Sequence, residues 1–220
     1  VLEAAAGRSR KNAANLLQTL AADEANHAEI EASRGLEVFA KVLRDHDCED
    51  AEALRDRAVF AVQHLASNTA MRPGLARVGV VETLLQLLAA PWHDPAQGVR
   101  EAAAAALQFL AVAKEGRDAL LEADGVPALI AASREGSVLA RCIAIAILQR
   151  LALGSAAVKQ RSGEAGAVSA LVGMLGEDSM ELQEVATRAL QTLAAHEPNW
   201  PRFVDGSAAA PLVRLLSGPR

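Results

Sequence analysis

The chain has 220 residues, 51% hydrophobic, 22% charged and only 3% aromatic, with a net charge of −5. Alanine makes up about a fifth of it, leucine follows and tyrosine is absent, a helix-forming palette poor in the residues that fill sheets. The negative balance argues against a binder of nucleic-acid phosphates, the lack of about 18 consecutive apolar residues against a membrane span, and two distant cysteines, Cys48 and Cys142, against a disulfide framework.

In chain order, residues 1–6 are a remnant ahead of a helix that closes on Leu17-Gln18-Thr19-Leu20-Ala21. A short helix is expected over Ala28 to Ser33 with Ile30 as its core anchor, then a helix from Gly35 to Leu43, then an acidic loop from Asp45 to Ala51. The closing motif returns as Val62-Gln63-His64-Leu65-Ala66, followed by a short helix, Pro73 to Arg77, on Leu75, and an apolar helix from Gly79 to Leu88. Pro91 to Gly98 forms a longer loop carrying Trp92 and His93. The motif comes a third time as Leu107-Gln108-Phe109-Leu110-Ala111, with a short helix, Arg117 to Ala123, on Leu120 and a further helix opened by Gly125. It comes a fourth time as Leu148-Gln149-Arg150-Leu151-Ala152, ahead of Ala156 to Arg161 on Val158 and Gly166 to Leu175. The fifth copy, Leu190-Gln191-Thr192-Leu193-Ala194, precedes Pro201 to Val204 on Phe203 and a last apolar helix, Ala208 to Ser217.

The glutamines step by 45, 45, 41 and 42 positions, and the glycine-led motif keeps time with them. Two registers repeating together at helical spacing describe a stack of helical units, each burying its apolar face on its neighbours. The glycines suit a left-handed position between a short helix and the next. A short helix, a glycine, a second helix and a third of Ala-Leu-x-x-Leu type resemble the armadillo repeat. The residues that carry the resemblance are Gly79 to Leu88 with Ala106 to Ala111, and Gly166 to Leu175 with Ala189 to Ala194. It implies an all-α fold, a right-handed α-α superhelix of the armadillo or HEAT type with about five three-helix repeats and incomplete ends. The expected organisation is a single solenoid over 1–220, with repeats at about 34–78, 79–123, 124–165 and 166–206 between partial ones at 1–33 and 207–220. The unfinished ends point to a longer parent chain or a partner that covers them.

On a helical wheel of the third helix, at about 100° per residue, the two leucines of Leu-Gln-x-Leu fall on the buried side and the two residues between them on the other. Resemblance to armadillo proteins places a client groove there, with two ladders. One consists of Thr19, His64, Phe109, Arg150 and Thr192; the other of Asn15, Phe60, Ala105, Ala146 and Arg188. Importin-alpha and beta-catenin-like members carry asparagine in the first ladder, and importin-alpha carries tryptophan in the second. This chain has neither set, which argues against carriage of nuclear-localisation signals. Phe60, His64 and Phe109 beside small alanines, with Arg150 and Arg188 toward the C-terminus, suit an extended or amphipathic acidic-hydrophobic segment. Phe60 and Phe109 either anchor such a client or fill space between helices. The glutamine row, Gln108 included among the groove candidates, either ties helices together or offers amides to a client.

No phosphate-cradling loop, nucleophile elbow or His-Glu-x-x-His stands in the sequence, and neither a cofactor nor a metal is implied. His46 and Cys48 lack a second ligand pair and read as part of a solvated loop; His27, His93 and His196 read as solvent-facing turn residues, and Cys142 as a buried inert thiol. Trp92 is an edge-loop candidate, a partner contact or a lid, and Trp200 is expected to pack beneath the next repeat. The sequence therefore reads as a non-catalytic, intracellular, cytoplasmic interaction scaffold or adaptor, with no nucleic-acid partner. The alternative is an architectural subunit of a larger organellar or cytoskeletal assembly, held by its ends and edge loops.

Overall fold

The computed structural model describes residues 2–45, 50–90 and 97–217, with side chains from residue 8 onward. The described residues are helical and contain no strand. Trp92 and His93, and His46 with Cys48, lie outside them.

Three helix types recur in strict order. Third helices are α1 (Leu2–Ala21), α4 (Ala51–Ser67), α7 (Gln97–Leu110), α10 (Val138–Ala152) and α13 (Met180–Ala194). Short helices are α2 (His27–Ala32), α5 (Arg72–Arg77), α8 (Lys114–Glu122), α11 (Ala156–Glu164) and α14 (Trp200–Asp205). Second helices are α3 (Gly35–Arg44), α6 (Val80–Ala89), α9 (Gly125–Arg134), α12 (Ala167–Met174) and α15 (Ala209–Ser217). The first helix is continuous from Leu2, so the opening residues belong to it rather than standing as a separate remnant.

The chain divides into two compact units, one from the described residues of Val1–Leu87 and Gly98–Ala123, the other from those of Leu88–Gln97 and Asp124–Arg220. In the first, α4 packs on α1, α3 and α5, and α5 packs on α8. Leu43, Leu65, Leu75, Leu84, Leu107 and Leu120 are sealed in its core. In the second, α10 packs on α9, α11 and α13, and α12 packs on α13 and α14. Leu129, Ile145, Ile147 and Leu171 form the centre. Both leucine positions of the closing motif are buried as the wheel requires, except in α1, where Leu17 is half-buried and Leu20 is exposed.

Each third helix leaves carbonyls without intrahelical partners at its C-terminus. The alanine that ends the motif is met by a side chain six residues on. His27 Nε2 pairs with the Ala21 carbonyl at 2.8 Å, Arg72 Nε donates to Ala66 at 2.9 Å, Arg117 Nη1 to Ala111 at 3.2 Å, and the Trp200 indole to Ala194 at 2.9 Å. In the fourth copy the position is Val158, which has no donor, and the Ser155 N–H reaches the Ala152 carbonyl at 3.3 Å instead. Two expectations change here. His27 is buried rather than solvent-facing, held also by Asn68 at 3.2 Å. Trp200 does not pack beneath another repeat: it is 55% exposed, its N–H spent on the helix end. His196 is half-buried, with Nε2 enclosed and unpartnered, and Phe203 is half-buried.

The left-handed turn between short and second helices falls at Arg34, Gly79, Asp124, Gly166 and Ser207, with φ of 59°, 79°, 53°, 84° and 53°. Aligning the motif on glycine was thus off by one at Gly35 and Gly125, where the preceding residue takes the strained conformation. Gly35 is needed for space: a Cβ there would stand 2.7 Å from the Ile30 carbonyl oxygen.

A second column ties the other end of the third helices. Arg10, Arg55, Arg100, Arg141 and Gln183 each precede the motif glutamine by eight. Arg10 pairs with Asp45 at 3.1 Å. Arg141 grips both Glu177 oxygens at 2.8 and 2.6 Å and donates from Nε to the Ser133 carbonyl at 2.9 Å, while Gln183 donates to the Glu177 carbonyl at 2.6 Å. The fork holds the α12–α13 loop to the end of α9, and the Arg141 guanidinium keeps the Glu177 carboxyl below the usual carboxylate range.

Candidate functional site

The candidate residues divide between the units. In the first, Asp56, Phe60 and His64 are spaced by four on α4 and so share one face. Lys11, Asn15 and Thr19 occupy the same columns of α1, and Glu101, Ala105 and Phe109 those of α7. Asn15, Thr19 and Gln108 are exposed; Phe60, His64 and Phe109 are half-buried. A Cβ on Gly98 would stand 4.0 Å from Phe60 Cζ, an ordinary van der Waals distance, which places the ring beside the start of α7. The Arg72 guanidinium lies 5.8 Å from the Phe109 ring centroid, fixed by the carbonyls of Ala66 and Ser67 at 2.9 Å each. Burial, then the nearby Glu52 charge, raise Asp56 above the ordinary carboxylate value against the opposing pull of Arg55 and Arg57.

In the second unit Cys142, Ala146 and Arg150 lie along α10, and Glu184, Arg188 and Thr192 along α13. Arg150 and Arg188 are exposed, Arg188 with Glu184 3.9 Å away on its own helix. Thr192 departs from the expected exposure and is buried. Its hydroxyl donates to the Arg188 carbonyl at 3.1 Å and accepts from Gln149 Nε2 at 3.3 Å, which lies across it from α10. Gln149 is therefore a tie between helices, and Gln18 plays a similar part by accepting from Arg57 at 3.4 Å. Gln108 and Gln191 face solvent. Cys142 is half-buried rather than buried, and burial pushes its thiol up, with the Glu181 charge adding to the effect.

Sequence reasoning missed the buried cation beside Phe109, because Arg72 looks like an ordinary helix-start residue until its carbonyl partners are known. Among the described residues no three His, Cys, Asp or Glu side chains gather as metal ligands, and no helix is long and apolar enough to cross a membrane.

Residues 155–195, which hold α11, α12 and α13, match the family model for the Armadillo/beta-catenin-like repeat. A computationally designed armadillo repeat protein for modular peptide recognition superposes with a TM-score of 0.80 at 25% identity, over 95% of this chain and 86% of that one. This is an armadillo-repeat fold. A designed armadillo repeat protein solved with the peptide (KR)4 gives a TM-score of 0.76 at 24% identity, over 95% of this chain and 86% of its own. The armadillo repeats only protein of Plasmodium falciparum gives 0.70 at 18% identity, over 83% and 79%. No curated protein matches the sequence. In armadillo terms, the named side chains stand on the third helices of successive repeats.

Proposed function

We propose that this chain is a non-catalytic scaffold that takes an extended protein segment on the outward faces of its third helices. The observation that carries the reading is that Phe60 and Phe109 stay half-exposed on α4 and α7 instead of sinking into the core, while Arg150 and Arg188 are exposed on α10 and α13. The designed armadillo proteins that share the fold recognise peptides, which supports a protein client.

The two faces divide the chemistry. Aromatic rings offer contact area at little entropic cost, the Phe109 ring the more so for the Arg72 guanidinium behind it, so the first unit takes apolar client side chains on Phe60 and Phe109, with His64 and Gln108 at the margin. Asp56 and Glu101 repel carboxylates there. The acidic part of the client belongs to the second unit, where Arg150 and Arg188 supply guanidinium forks. Asn15 and Thr19 are the polar contacts on α1, and Thr192 acts through Gln149 rather than directly. Trp92 stands as an edge contact in the same reading, and the expected place of action is intracellular.

An array of extended peptides that varies aromatic and acidic content independently tests this. The expected binders combine an aromatic or aliphatic residue with Asp or Glu; Phe109→Ala weakens them about tenfold and Arg150→Glu abolishes the acidic preference. Selection of basic peptides such as (KR)4, or equal binding by both variants, overturns it.

A further inference from the structure

Two columns at the start of the third helices are exposed in every copy whose side chains are described. Eleven residues before the motif glutamine stand Glu52, Gln97, Val138 and Met180, and ten before it Arg8, Ala53, Gly98, Leu139 and Glu181, all exposed. Interior copies share the exposure, so it belongs to the position in the repeat. In the first unit both columns carry charged, polar or small residues. In the second they carry Val138, 42% exposed, Leu139, 55%, and Met180, 79%.

The three apolar side chains share one edge of the second unit. The Ser137 and Ser179 hydroxyls cap α10 and α13 at the same point, accepting from the Ala140 and Leu182 N–H groups at 3.3 and 3.2 Å, so Val138 and Met180 open their helices at one level. α10 packs on α13, and the Arg141 fork on Glu177 draws the start of α10 against the loop ahead of Met180. Glu135, Asp178 and Glu181 flank the trio in sequence and are exposed. Arg141 is spent on Glu177, Arg134 reaches toward the Gly166 turn, and among the described residues no cation forms an ion pair with those three carboxylates. Covering the apolar atoms is favourable, and the uncompensated negative charge selects what covers them: it attracts Lys and Arg and repels carboxylates and anionic lipid surfaces.

We propose that this edge docks a basic, apolar segment of a partner protein, its leucine-like side chains on Val138, Leu139 and Met180 and its lysine or arginine flanks on Glu135, Asp178 and Glu181. The site has the opposite charge preference to the one built on Arg150 and Arg188. It is independent of that reading, since it uses neither the aromatic nor the cationic residues.

Methyl NMR tests it, because the chain holds three methionines and the other two, Met71 and Met174, are buried. Methionine-labelled protein is titrated with short peptides that share one leucine-rich core and carry lysine, serine or glutamate flanks. The lysine-flanked peptide should shift the Met180 methyl and leave the other two in place. The serine-flanked peptide should bind about tenfold more weakly, and the glutamate-flanked one should leave the methyl unmoved. Leu139→Ser, at an exposed position and with its helicity checked by circular dichroism, should weaken the lysine-flanked peptide about tenfold. Asp178→Lys combined with Glu181→Lys should turn the preference to the glutamate-flanked peptide. Leu153→Ser, at an exposed leucine beyond the other end of α10, should bind like the parent. A Met180 methyl that no peptide moves, an equal response to all three flanks, or a lysine preference that survives the charge reversal overturns the proposal.

Discussion

Arg72 stands over the ring of Phe109 at 5.8 Å while its Nε and Nη2 close the end of α4 on Ala66 and Ser67. One buried guanidinium thus caps a helix, joins α5 to α4 and stiffens an aromatic on α7. Arg72→Met keeps the stem and loses the donors, and should cost about 2–4 kcal/mol in denaturant unfolding. The cation–π part is separable: a double-mutant cycle with Phe109→Leu should return a coupling of about 0.5–2 kcal/mol. A coupling of zero would show the ring to be a bystander.

Asn199 is fully buried and donates to the carbonyls of Lys159 at 3.0 Å and Leu193 at 3.2 Å. Asn199→Leu should leave both acceptors stranded and cost about 2–4 kcal/mol. Gly163→Ala should also destabilise, because a Cβ there would collide with the Asn199 amide. Thermal melts of the two variants measure both effects.

Backbone strain predicts opposite signs at two equivalent turns. Gly166→Ala forces a side chain to φ 84° and should lose about 1–2 kcal/mol, whereas Arg34→Gly relieves a side chain at φ 59° and should be neutral or slightly stabilising. Matched urea titrations decide the signs.

Two carboxylates give opposite pH signatures. Asp56 is raised in the folded state, so its ionisation opposes folding above its unfolded value near about 4 and costs nothing below it. Asp56→Asn should raise the melting temperature at pH 7 and leave it unchanged near pH 3. Glu177 is lowered by Arg141, so its contribution is complete above its unfolded value and fades as pH falls through the folded one. Glu177→Gln should lower the melting temperature at pH 7 and matter progressively less on acidification.

These features mark where sequence was enough. The Leu-Gln-x-Leu-Ala copies were readable because one residue type answers one packing demand in every repeat. The column of His27, Arg72, Arg117 and Trp200 was not, since a carbonyl accepts from any donor that reaches it and only geometry unites four such different side chains. The same reason hid His27, whose polarity in a turn reads as exposure until its acceptor is known. Turn register slipped at Arg34 and Asp124 because glycine signals left-handed backbone well, but other residues tolerate it where neighbouring helices hold them. At the candidate site, spacing placed Phe60, Phe109, Arg150 and Arg188 on outward-facing columns, but it could not foresee that Gln149 would lie across Thr192 and bury it.

The column that closes each third helix has one gap, and it matters for dynamics. At Val158 a methyl-bearing side chain stands where the other copies offer an N–H, so at the α10–α11 joint the Ala152 carbonyl is met by the Ser155 N–H and the Val158 N–H by the Ser155 hydroxyl. It is the one of these five joints whose motif alanine meets no side-chain donor, and its amides should take up deuterium ahead of those at the other four.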